Sequence, residues 1–173
     1  MEEIAGAIER YKLQWQELVA GRKNKAFFEG LKPTAVGFKL ADAAEIDRLL
    51  APIRDQADHI HWGWINERWL VTLHLRDTTL PDGIQIVKLY QRRPGSDDKL
   101  GLDHLDFYAP SIDEDILADE PELKWTNETN GEHCAWISLW FAGTEAKLRT
   151  DTTFDACAKE LAELDKQITG TNK

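Results

Sequence analysis

Cysteine is scarce in this chain, at two of 173 residues, Cys134 and Cys157. The pair shows no metal-ligand spacing. Cys134 falls in a strand pattern and Cys157 in a helix pattern, so two buried free thiols in a reducing cytoplasm are the expectation ahead of a disulfide. Long apolar runs are absent too: none approaches the ~20 residues of a membrane span. The opening MEEIAGAIERYK is acidic and amphipathic, without a signal-peptide core. There is no Gly-rich phosphate loop, no nucleophile elbow and no CxxC, which leaves those chemistries without their motifs. Positive charge is in deficit, with 21 Lys and Arg against 31 Asp and Glu and a net charge of −10. That balance argues against non-specific nucleic-acid binding, where Lys and Arg must replace counterions on phosphate. It fits an anionic membrane surface equally poorly, and its plainest use is solubility.

What is present is a repeat. Glu67-Arg-Trp-Leu-Val-Thr-Leu-His-Leu75 and Glu132-His-Cys-Ala-Trp-Ile-Ser-Leu-Trp-Phe141 both begin acidic and then alternate apolar residues with a hydroxyl and a ring. Val71 to His74 align with Ile137 to Trp140, and further paired segments flank them in the same order. A duplicated sheet leaves a groove at its pseudo-twofold, and function is expected there. Apolar content of 42% and charged content of 30% suit a soluble globular protein. The length suits one domain or two small fused modules. Most of the seven tryptophans are expected to be buried.

Ile4, Ile8, Tyr11, Trp15, Leu18 and Val19 recur at helical spacing, and Gly21 can end that helix. A second short helix is expected over 23–30, completing a helical lead-in over 1–31. Thr34–Leu40 alternates as a strand. Asp42 and Glu45 form a capping box for a helix over 43–55, in which Pro52 introduces a bend. Strands follow at 59–65, 68–76 and 84–90, so the module 34–90 reads β-α-β-β-β. The polar stretch 91–101 is a linker. A strand over 102–108, a short acidic helix over 112–119 and strands at 123–128, 133–141 and 144–150 repeat the order over 102–150. A hairpin turn is expected at 129–131. A C-terminal helix is expected over 152–168, carrying Phe154, Cys157, Ala158, Leu161, Leu164 and Ile168. The fold class is α+β: two tandem βαβββ modules forming one cupped mixed sheet, with helices at both ends.

This order of elements resembles the glyoxalase-like, or vicinal oxygen chelate, superfamily. Gly101-Leu-Asp-His-Leu-Asp-Phe-Tyr-Ala-Pro110 is similar to that family's first strand, and Val87-Lys-Leu-Tyr90 with Pro94-Gly95 to its module ending and linker. The helical lead-in is similar to that of the YecM-like branch. The resemblance implies paired modules cupped around a small substrate and a divalent metal. Such a metal would be held by His or Gln on the first strands and by Glu on the last strands.

Period-two alternation sorts the faces. Leu105, Phe107 and Ala109 share a helix-packing face, while His104, Asp106 and Tyr108 share the cup face. In the first module Ala35, Gly37 and Lys39 occupy the matching cup positions, so one half supplies functional groups and the other supplies room. Thr72 and His74 pair with Ser138 and Trp140, and Lys88 pairs with Lys147. The ligand-binding candidates are therefore Thr72, His74, Lys88, His104, Asp106, Tyr108, Trp136, Ser138, Trp140 and Lys147. His104 beside Asp103 and Asp106 suits acid–base work, since carboxylates stabilise an imidazolium. Lys88 and Lys147 would hold an anion. Trp136 and Trp140 would stack on a planar ligand or fill the cup.

The positions matching the family's four ligands are Ala35, Lys88, His104 and Lys147, and only His104 is a competent metal donor. Three readings stay open. The cup binds a small anionic or aromatic molecule with no metal cofactor. Alternatively, a divalent metal on His104, with His74 or Glu145 recruited, serves a lyase, isomerase or dioxygenase. Thirdly, the module is structural, its cup filled by its own side chains, and the N-terminal helices offer a homodimer interface. His59 and His61 are a weaker ligand pair, with Trp62 and Trp64 opposite them as core. The acidic runs 113–115 and 119–120 read as a solvated helix face.

Overall fold

A computed structural model of the chain describes residues 2–150 apart from 66, 78–79, 121, 131–133 and 142. The helix expected over 152–168, with Cys157, lies outside the described residues, as does the tip of the turn expected at 129–131.

Helix α1, Glu2–Ala20, buries Ile4, Ile8, Tyr11, Trp15 and Val19 along one stripe. Its Leu13 lies 62% exposed on the other side. Helix α2, Lys25–Glu29, buries Phe28 and stops at Gly30. Strand β1 is Lys32–Leu40. Helix α3 is Ala43–Leu50, capped by Asp42, whose carboxylate accepts the Glu45 N–H at 3.0 Å. Glu45 reaches back to the Ala41 N–H at 2.8 Å, completing the box one residue early. The helix ends short of 55 because Pro52 can donate no backbone hydrogen bond. A 3₁₀ turn at Arg54–Gln56 completes the segment.

The remaining strands are β2, Ala57–Ile65; β3, Arg68–Leu75; β4, Ile86–Gln91; β5, Gly101–Tyr108; β6, Lys124–Asn130; β7, Cys134–Phe141; and β8, Thr144–Arg149, with helix α4 at Glu114–Ala118. They form one eight-stranded sheet in the order β2-β3-β4-β1-β5-β8-β7-β6. That order is a palindrome about the antiparallel β1–β5 seam. In each half the first strand pairs parallel with the last, as β1 with β4 and β5 with β8.

The face expected to pack on helices does so. Val36, Phe38, Leu105, Phe107, Leu139 and Leu148 join the apolar stripes of α1 and α3 in one core cluster. Trp15 stacks on Phe107 with ring centroids 4.6 Å apart. Two expectations need correction. Of the seven tryptophans only Trp15 is buried, while Trp62, Trp64, Trp69 and Trp140 are 37–48% exposed. Trp62 and Trp64 do share the face of core residue Val71, since Trp62 pairs with it. They lie on β2, however, the edge strand of the sheet. Nor is the acidic stretch after α4 wholly solvated. Glu120 is 3% exposed, accepts the Asn24 N–H at 2.9 Å and lies 3.8 Å from Arg22, tying the lead-in to the second module.

Candidate functional site

Cross-strand pairing carries side chains across a sheet in rows that point to one face. One row runs Trp140, Glu145, His104, Gly37, Lys88, Thr72, His61. The next runs Ser138, Lys147, Asp106, Ala35, Ile86, His74, His59. Trp136 and Tyr108 lie two residues along from Ser138 and Asp106 and share their face. All ten candidate positions therefore occupy the face opposite the helices.

The centre of this face is a buried polar network. The Lys88 ammonium donates to Asp106 at 2.8 Å, with both side chains 3% exposed. Arg149 approaches the same carboxylate at 3.9 Å. His104 is 1% exposed and its Nε2 faces the other Asp106 oxygen at 3.7 Å, too far for a hydrogen bond. Its Nδ1 lies 3.0 Å from Asp103, whose second oxygen is 2.9 Å from Lys39. The imidazole lies over Gly37: a Cβ built there would sit 2.2 Å from His104 Cε1. Tyr90 meets the ring edge-on at 5.6 Å.

A second cluster flanks the first. The Ser138 hydroxyl donates to the Glu145 carboxylate, and the Trp136 indole N–H donates to Ser138 at 2.9 Å. Lys147 lies 3.9 Å from Glu145 and 5.0 Å above the Trp136 ring. The Arg149 guanidinium is 5.9 Å from that ring. Arg149 is a candidate functional residue that the sequence reasoning misses, although it follows Lys147 at strand period two.

The electrostatics follow from these contacts. Burial alone would raise the Asp106 pKa, but Lys88 foremost, then His104, Lys147 and Arg149, hold it well below the usual carboxylate range. Asp103 is likewise held low against its burial, by the His104 hydrogen bond first and by Lys39. Burial, then Glu145 and Asp106, push the Tyr11 phenol well above its ordinary value. The Tyr11 hydroxyl donates to the Glu145 carbonyl at 3.5 Å from the helical side of the sheet.

The donor set does not fit a divalent metal. Among the described residues no group of three or more His, Cys, Asp or Glu side chains is placed to hold one. The register supplies the reason and agrees with the sequence overlay, since Lys88 stands opposite Gly37 as Lys147 stands opposite Asp106. His104 pairs directly with Glu145, not Lys147. The facing pair in the first module is Ala35 with Ile86, an apolar contact buried on the cup side. One half thus offers an imidazole and a carboxylate, the other only hydrocarbon. Lys88, Lys147 and Arg149 around them supply no acceptor. His104 is also engaged by Asp103. His74, proposed as a recruited ligand, stands three strands from His104, roughly 14 Å at the usual strand spacing. Its ring lies parallel to that of His59, 6.2 Å away.

No protein-family model and no curated protein matches the chain. Among solved structures, a structural-genomics protein named Protein EC4020 superimposes with a TM-score of 0.66 at 15% identity, covering 92% of each chain. A Streptomyces coelicolor methylmalonyl-CoA epimerase variant in complex with 2-nitronate-propionyl-CoA gives a TM-score of 0.44 at 16% identity, over 69% of this chain and 96% of its own. A methylmalonyl-CoA epimerase with methylmalonyl-CoA and NH4+ gives 0.44 at 16%, over 68% and 92%. At that level the epimerases carry no argument about this chain. The eight-stranded sheet with helices on one face is the glyoxalase-like fold expected from the sequence, and Protein EC4020 shares this chain's architecture over nearly its whole length.

Proposed function

We propose that the cup binds a small anionic, ring-bearing molecule against its second-module wall, without a metal. The observation that carries this reading is an ammonium set against an indole: Lys147 lies 5.0 Å above the Trp136 ring at the cup wall. Among the described residues, Lys88, Lys147 and Arg149 meet two carboxylates at the cup floor, Asp106 and Glu145. Lys88 is committed to Asp106. Lys147, the most accessible of the three cations, lies over Trp136, with exposed Trp140 on the same strand. A carboxylate would meet an ammonium there, and its ring would meet an indole. The helical lead-in of α1 and α2 is the feature that supports placing the protein in the YecM-like branch.

The test is a melting and calorimetric panel of acetate, benzoate, phenylacetate and phenyl phosphate. The aromatic anions are expected to raise the melting temperature. Lys147→Ala should weaken them by about tenfold or more, the worth of one charged hydrogen bond at ~1.5–3 kcal/mol. If no anion shifts the melt, or Lys147→Ala binds as well as the parent, the proposal fails. A stoichiometric transition metal in protein purified without chelator would also overturn it. One observation favours a second reading, a structural module: Lys88, His104 and Asp106 are each only 1–2% exposed, so the floor fills itself. A melt indifferent to every anion in the panel is what that reading expects.

A further inference from the structure

We infer that the helical side of the sheet carries a separate binding site for an uncharged aromatic small molecule. It lies in a cleft between α1, α2 and the β1–β5 seam. The cleft has a volume of about 540 Å³, within the ~300–1,000 Å³ usual for small-molecule sites. The cup is on the opposite face of the same strands: Leu105 and Phe107 line the cleft while His104 and Asp106 point the other way.

The walls set the chemistry. Trp15 and Phe107 stack at 4.6 Å and 23°. Phe28 meets Trp15 edge-on at 6.2 Å and 66°. Tyr11 completes an aromatic wall, its hydroxyl turned to the Glu145 carbonyl. Packed against one another, these rings give the cleft a flat apolar wall, which favours an aromatic guest over a polar one. The lip selects against ions. Its two cations already have partners, Lys12 with Asp82 at 3.1 Å and Lys25 with Glu29 at 3.3 Å. Among the described residues of the lip, no surplus charge remains to draw an anion or a cation. A charged guest would leave water for apolar walls without compensation. Gln16, exposed at the lip, offers a neutral polar handle.

The probe is N-phenyl-1-naphthylamine, an uncharged aromatic that fluoresces on leaving water, titrated into the full chain. Saturable binding at one per chain is expected, with a rise in melting temperature. Ala20→Trp places a ring in the cleft from an exposed lip position and should weaken the probe by about tenfold or more, with the cooperative melt retained. If that variant melts early, Gln16→Trp serves the same purpose from the neighbouring turn. Lys147→Ala, across the sheet, should leave probe affinity unchanged. Unsaturable fluorescence, unaltered affinity in the folded blocking variant, or equal loss in Lys147→Ala would each overturn the site.

Discussion

Gly37→Ala is the sharpest test of the seam between the two halves. The added methyl carbon would sit 2.2 Å from His104 Cε1 and 2.6 Å from both ring nitrogens. The obstacle is a packed imidazole, not the backbone, so the ring must be driven off its site. Overpacking of this kind costs about 1–3 kcal/mol. Displacing His104 also breaks its bond to Asp103, worth roughly 1.5–3 kcal/mol for a charged partner. Together these give a loss of about 2.5–6 kcal/mol, or roughly 5–25 °C in melting temperature for a chain of this size. The mechanism makes a stronger claim than the magnitude. If the clash is the cause, His104→Ala removes it, and the methyl added at position 37 then occupies part of the vacated space. The double variant should be more stable than the sum of the single losses predicts, by about 1–3 kcal/mol of coupling. Urea denaturation of the four proteins measures this. A Gly37→Ala melt within ~0.5 kcal/mol of the parent, or additive losses, would refute the placement of the ring.

Two further outcomes follow from the buried network. Asp106→Asn should cost more stability than Lys88→Met. The first takes the shared carboxylate from both Lys88 and Arg149, whereas after the second Asp106 still faces Arg149 at 3.9 Å. Losses of about 3–5 kcal/mol are usual when one partner of a buried ion pair is removed, and the reverse order in urea midpoints would contradict the network. Asp103 and Asp106 are held below their ordinary pKa, so they stabilise the fold fully above the unfolded value near ~3.9. That contribution is lost as pH falls toward the folded values, because the unfolded chain takes up protons first. The melting temperature should therefore drop steeply below about pH 4, and Asp103→Asn should flatten the drop. A parent melt unchanged down to about pH 2 would exclude the effect.

The fold was largely legible because each element announces its own period. The α1 stripe, the alternation of β1 and β5, and the Asp42–Glu45 cap are local signals, and locality is what a sequence carries. The cup face of all ten candidate residues followed from the same arithmetic, as did the room that Gly37 leaves for His104. What failed was non-local. Alternation put Trp62 and Trp64 on the correct face but could not say that they stand on an edge strand. The pairing of β5 with β8 sets Glu145 beside His104 and Lys147 beside Asp106, a neighbour relation that overlaying the two modules does not contain, because parallel register is decided across a long connection rather than by a turn. Burial of Glu120 depended on Arg22 and Asn24, far away in sequence, and nothing in the acidic run betrayed it.

Among the described residues the two half-sheets join through a single ladder, β1 with β5. At its middle the emptiness of one repeat is filled by the ring of the other. The two halves are therefore coupled at this point and cannot be varied there independently. Bulk gained at position 37 is best accommodated by bulk surrendered at 104, so the two positions behave as one packing unit.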